Sequence, residues 1–155
     1  EFIERIYHQH NSELVLKDHY CDVPGWPPGM PERDAHVFLE CFDRGGTFYG
    51  AFCDAELIGA SVLESRFIGA NRDELQLKFL HVSRQYRGTG AGRMLFETSA
   101  ARAKDLGACK LYISAAPSEN TIRFYFSQGC QVTKDIDPAL FGLEPEDIHL
   151  ELVLD

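Results

Sequence analysis

The stretch RQYRGTGAGRMLF, residues 84 to 96, decides how the rest of the chain is read. It sets Gly88, Gly90 and Gly92 at alternating positions and carries Arg84, Arg87 and Arg93. It then runs into a segment with helical spacing. No acidic residue stands between Val82 and Glu97, in a chain whose formal net charge is −9. Glycine tolerates positive φ and lets a ligand reach the backbone. A strand–turn–helix built on such a loop aims several amide N–H groups and the positive end of the helix dipole at one point. Phosphate or pyrophosphate suits that point best. A tight turn whose glycines only permit close packing is the alternative, and the glycines alone do not choose between the two.

Working outward, DELQLKFLHV (73–82) reads as the preceding strand. Leu75, Leu77 and Phe79 alternate with Glu74, Gln76 and Lys78 until Leu80 falls on the polar face. A period broken at the end of a strand is what a β-bulge produces, and bulges are common beside active sites. After the turn, the spacing predicts a helix from about Ala91 to Leu106, closed by Gly107. Its apolar side holds Met94, Leu95, Thr98, Ala101 and Leu106. CKLYISA (109–115) is a short apolar strand. PSENTIRFYFSQG (117–129) reads as a helix with Ser118 as N-cap and Gly129 beyond its end. CQVTKDI and DIHLELVL close the chain as two strands.

On the N-terminal side, Phe2, Ile3 and Ile6 in EFIERIYHQH suggest a short helix, and ELVLKD a brief extended piece. CDVPGWPPGMPE carries four of the seven prolines and is a loop. ERDAHVFLECFDRGG is helical, with Gly45 as its stop. TFYGAFC and ELIGASVLES form a hairpin around Asp54-Ala55. The order predicts an α/β (α+β) fold with a mixed, mostly antiparallel sheet.

At 155 residues the chain suits one domain over residues 1–155 with one core. It opens on Glu1 rather than Met, so a native segment is expected before it. No apolar run reaches the ~20 residues of a membrane span. Five scattered cysteines without a C-x-x-C pair point to a reducing, cytoplasmic setting. No histidine or cysteine spacing predicts a metal site. The acidic balance argues against nucleic acid and is compatible with a cationic partner.

The glycine stretch fails the Walker pattern, which needs Gly-Lys-Ser/Thr, and the dinucleotide pattern, which would need glycine at Arg93. Arg87-Gly88-Thr89-Gly90-Ala91-Gly92 instead resembles the R/Q-x-x-G-x-G/A acyl-CoA-binding motif of the GNAT superfamily of N-acetyltransferases. Residues 118 to 130 resemble that family's N-x-x-A-x-x-F/L-Y-x-x-x-G-F helix, with Ser118 in place of the usual asparagine and Asn120 two residues on. Together the two segments cover roughly residues 74 to 134. The family's first strand has no clear counterpart and is expected before Glu1.

The resemblance implies a single domain with a twisted sheet, helices on both faces, and a splay between the family's fourth and fifth strands. It implies acetyl-CoA as co-substrate and no metal. Leu80, His81 and Val82, ending the fourth strand, would pair with the pantetheine arm, and a backbone N–H near Leu80 would polarise the acetyl carbonyl. Amides from Gly88 to Arg93 would hold the pyrophosphate. Tyr125 matches the general acid, although a core aromatic between Phe124 and Phe126 is the other reading. Glu74 is the candidate base acting through water, or a surface carboxylate; His81 titrates near neutrality with a structural role favoured. Ser118 either contacts the cofactor or only caps its helix. The acceptor, a small-molecule or peptide amine, would meet a wall holding Asp22, Trp26 and Met30, where Trp26 either stacks on substrate or pins the loop. Lys78 and Glu64 carry no assignment. A CoA-binding sensor without turnover is the alternative function, and a homodimer is compatible with the sequence.

Overall fold

The structure, a computed structural model, describes residues 2–10 and 13–155. In chain order its elements are β1 (Phe2–His10), β2 (Glu13–Asp22), α1 (Met30–Asp43), β3 (Thr47–Cys53), β4 (Glu56–Ile68) and β5 (Glu74–Val82). A 3-10 turn (Arg84–Tyr86) precedes α2 (Ala91–Asp105), β6 (Lys110–Ala115), α3 (Glu119–Ser127), β7 (Gln131–Val132), α4 (Pro138–Leu143) and β8 (Ile148–Val153). This is the mixed α/β architecture that the sequence predicts. The chain divides into two compact units: a mid-chain unit of Trp26–Leu111 with Leu154–Asp155, and a terminal unit of Glu1–Gly25 with Tyr112–Val153.

In the mid-chain unit, β3, β4 and β5 run antiparallel in that order. The β3–β4 hairpin turns at Asp54, whose φ is +51°. Along β4 and β5 the register pairs Val62 with Phe79 but Leu63 with Leu77, leaving Lys78 as the extra residue. That is the bulge that the broken alternation predicts. It returns Leu80 to the face of Leu77 and turns Phe79 and His81 to the opposite one. α2 packs on the Leu77 side: Ser99 donates to the Leu95 carbonyl and pairs with Ser61 at 2.9 Å. α1 covers the other side, with Phe38 edge-on to Phe79. Leu63, Leu75, Leu77, Leu95 and Phe96 are buried between these layers. At about 1.5–3 kcal/mol for each large apolar side chain, this burial is what holds the helices to the sheet.

The terminal unit holds the β1–β2 hairpin and the strand order β6-β8-β7. The helix predicted for the N-terminus is a strand instead: β1 pairs along β2, and Tyr7 donates its N–H to the Pro117 carbonyl. Its three apolar residues fit a helical period by chance. The hydrogen bonds offered by β2 and Pro117 outweigh so short a pattern. Glu1, included in that predicted helix, lies outside the described residues. The predicted CQVTKDI strand keeps its ladder for two residues, because the Thr133 hydroxyl then accepts the Asp135 N–H and bends the chain. α4 was not anticipated. Its signal is Asp137-Pro138, with the Asp137 carboxylate accepting the Ala139 and Leu140 N–H groups and Pro138 in the first turn.

Candidate functional site

In the mid-chain unit, β5 delivers the chain into the glycine turn. The 3-10 turn at Arg84–Tyr86 is fixed from both ends: Tyr86 donates its hydroxyl to Glu56 at 2.8 Å, and Thr89 donates its own to the Tyr86 carbonyl at 2.6 Å. Arg87 donates from Nε to the Val82 carbonyl at 3.1 Å. Arg93 pairs with Glu97 at 2.7 Å. Two of the three arginines therefore brace the turn and the helix behind it.

Gly88 and Gly90 have φ of +77° and +93°, a region that side chains rarely enter. A Cβ built on either would meet no atom within 4 Å, so the space beside the backbone is open. Gly90 is the N-cap of α2, no side chain caps the helix, and its first turn holds no acid. The first amides of a helix have no intrahelical acceptor. Here nothing else in the cap supplies one. The result is a set of donors without a side-chain cap at the positive end of a helix of 15 residues, entered from the exposed Gly88, Thr89 and Gly90, with Arg87 beside it.

Leu80, His81 and Val82 are half-buried and pair with Ser61, Ala60 and Gly59 of β4. The face of β5 turned by the bulge lines a cavity of about 400 Å³. Phe79, His81 and Ser83 form one wall, Gly59, Ala60 and Leu57 a second, and Pro31, Asp34, Ala35 and Phe38 of α1 the third, with Trp26 across them. Trp26 lies 5.3 Å from His81 and 6.2 Å from Phe79, ring centre to ring centre. Of the residues expected at an acceptor wall, Trp26 lines this cavity, Met30 is not among its lining residues, and Asp22 ends β2 in the terminal unit. Sequence reasoning missed Asp34, Phe38 and Phe79. The four-residue spacing of Asp34 and Phe38 on α1, and the broken period of β5, are the signals that place them.

Glu74 opens β5, roughly 20 Å along the strand from His81 at ~3.3 Å per residue. It is buried, and its carboxylate is 3.9 Å from the Lys110 ammonium. Glu64, also buried, sits in an ion cluster: Arg44 donates at 2.6 Å and Lys78 lies at 3.9 Å. Burial alone would raise its pKa, but the hydrogen bonds from Arg44 and the Ser65 N–H, with both cations, hold it at about 2. Cys41 lies beside this cluster, fully buried, and desolvation pushes its thiol upward.

In the terminal unit, Ser118 is buried and caps α3: it accepts the Thr121 N–H and donates to the Thr121 hydroxyl at 2.8 Å. Asn120 is exposed. Tyr125 is 6% exposed and edge-on to Phe124. Burial, then the charges of Cys130 and Asp147, drive its hydroxyl pKa well above the usual value. Nearby, burial lifts the Asp147 carboxyl to about 7 while a hydrogen bond from Ser114 at 3.0 Å opposes the rise.

A model of the acetyltransferase (GNAT) family matches residues 6–129. No curated protein matches the sequence significantly. Among solved structures, nourseothricin acetyltransferase has a TM-score of 0.70 at 16% identity, over 100% of this chain and 87% of its own. A putative streptothricin acetyltransferase from Bacillus anthracis str. Ames, in complex with acetyl coenzyme A, gives 0.70 at 17% identity, over 100% and 87%. A Bacillus subtilis acetyltransferase in complex with CoA gives 0.63 at 24%, over 81% and 86%. At such identities the likeness is one of fold.

Proposed function

The chain belongs to the acetyltransferase (GNAT) family, and from that premise we propose that it is an acetyl-CoA-dependent N-acetyltransferase. It moves an acetyl group onto a primary amine of a small molecule or peptide by direct attack in a ternary complex. The observation that carries this reading is the open, uncapped start of α2 on Gly88 and Gly90. The space that a Cβ would enter there is free, so a diphosphate fits against the amides of Gly88 to Arg93.

Acetyl-CoA supplies the activated acyl group. The protein's part is to hold it, to exclude competing geometry and to manage protons. Main-chain groups of Leu80, His81 and Val82 bind the pantetheine arm, and the Leu80 N–H stabilises the negative charge that develops on the acetyl oxygen. Tyr125, protonated at neutral pH, is the group that gives a proton to the departing thiolate. Ser118 serves as a cap, since its hydroxyl is already committed to Thr121. Glu74, at the far end of β5 and beside Lys110, is left out of this scheme. Water takes the proton from the attacking amine.

The test has two parts. CoA is expected to raise the melting temperature, while ATP and NAD do not. Thiol release from acetyl-CoA is expected to depend on an added amine; the panel includes nourseothricin and streptothricin, for which two fold relatives are named. Absence of the CoA shift rules the reading out. A CoA shift without thiol release from any amine would favour a sensor.

A further inference from the structure

We propose that the cavity beside β5 selects an acceptor whose amine is carried on a flat, apolar body: an arylalkylamine rather than a polyamine or an amino sugar. The inference rests on the acetyl-transfer reading and names the substrate class of that site. A volume of about 400 Å³ suits a small ligand. Four of its lining side chains are aromatic or imidazole rings: Trp26, Phe38, Phe79 and His81. Phe79 and His81 present near-parallel planes from one strand face, at 30°, and Trp26 and Phe38 pack against Phe79 at 6.2 and 5.2 Å.

Among the described residues lining the cavity, Asp34 is the one carboxylate, and no lysine or arginine is present. One carboxylate among rings matches one ammonium on an aromatic body, since ring faces attract a cation and rings stack on rings. A polyamine's further charges and an amino sugar's hydroxyls would gain nothing from these rings and stay in solvent, whereas an aromatic body gains contact area against them. Asp34 shares Oδ1 with Arg33 at 3.3 Å, but that guanidinium is 69% exposed, and such surface pairs are weak. An incoming ammonium therefore competes readily for this carboxylate. In the transfer itself, the bound ammonium first loses one proton to water. The neutral amine then adds to the acetyl carbon to form the C–N bond, and the adduct collapses with the C–S bond broken. The nitrogen's second proton passes to water, and the leaving thiolate takes its proton from Tyr125, which water replenishes.

Trp26 is the chain's single tryptophan, so its fluorescence reports occupancy of the cavity without turnover. The experiment titrates 2-phenylethylamine, 2-phenylethanol and spermidine into the intact protein, and measures KM for the two amines by thiol release. We expect a saturable change in emission with 2-phenylethylamine, with an affinity at least tenfold above that of spermidine and a KM at least tenfold below it. Asp34→Asn is expected to weaken 2-phenylethylamine at least fivefold and to leave the neutral alcohol unchanged. Equal or tighter binding of spermidine, or an Asp34→Asn variant indistinguishable from the parent, overturns the proposal. Thiol release with other amines but neither binding nor turnover of 2-phenylethylamine sinks this inference and spares the transfer reading. Saturable binding without thiol release from any amine sinks the transfer reading, and with it the cavity's role as acceptor site.

Discussion

α2 opens on a glycine in the left-handed region, with no side-chain cap and no acid in its first turn. α3 opens on Ser118, which accepts the Thr121 N–H, and its first turn holds Glu119. Glu119 in turn binds Arg5 at 2.9 Å and Arg123 at 2.8 Å. Both helices follow a strand of the sheet, yet the chain caps a first-turn donor of α3 with its own side chain and gives α2 no side-chain cap. A buried polar group must find a partner, whereas an exposed one can wait for a ligand. The contrast separates a structural cap from a binding site by what fills it, not by its position in a motif.

That contrast can be broken by substitution, and the largest effect is expected in the chemistry. Tyr125→Phe keeps the ring of α3 and removes its proton, so turnover should fall about 100-fold with the Kd for CoA nearly unchanged. Equal loss of both, measured by steady-state kinetics and calorimetry, would make Tyr125 a packing residue. Next, Gly90→Val forces a branched side chain into positive φ at the open helix start. CoA affinity should fall about tenfold or more, with ~1–3 kcal/mol of folding strain. Unchanged CoA affinity would leave α2 no more of a site than α3.

Glu64 serves as a control outside both helix starts. Its folded pKa of about 2 lies below the ordinary 4.5, so its contribution to stability is fully present above pH 4.5 and is lost as the pH falls toward 2. Glu64→Gln should cost on the order of 2 kcal/mol at pH 7, and urea denaturation should find the gap closing near pH 3. A gap independent of pH would remove the ionic account. The smallest effect is expected at Ser118→Ala: about 1 kcal/mol of stability from the lost cap, and less than twofold in CoA affinity. A tenfold loss of CoA affinity there would erase the distinction between the two helices.

Much of the mid-chain unit was legible because its signals are local. Positive-φ glycines, the Asp54 hairpin and the broken alternation of β5 each fix a backbone event within a few residues. The bulge even assigns faces, since only an extra residue at Lys78 puts Leu77 and Leu80 together. The terminal unit was harder to read. β1 depends on its hairpin partner β2 and on Pro117, far along the chain, and its apolar spacing misled toward a helix. The cavity was half visible: Trp26 stood out in its proline-rich loop, while Phe38 and Asp34 become meaningful once α1 is laid over β5. Glu74 was read as a choice between base and surface group. Its burial beside Lys110 shows that a strand-end carboxylate can be internal without lying near the glycine turn.

The most direct test of the central claim, that the bare amides of α2 grip a diphosphate, is a calorimetric cycle using CoA and pantetheine, which lacks the diphosphate. The parent protein should bind CoA at least 100-fold more tightly than pantetheine, and Gly90→Val should erase most of that difference while leaving pantetheine affinity within twofold. If CoA and pantetheine bind alike, or if Gly90→Val weakens both equally, the α2 start does not hold the diphosphate.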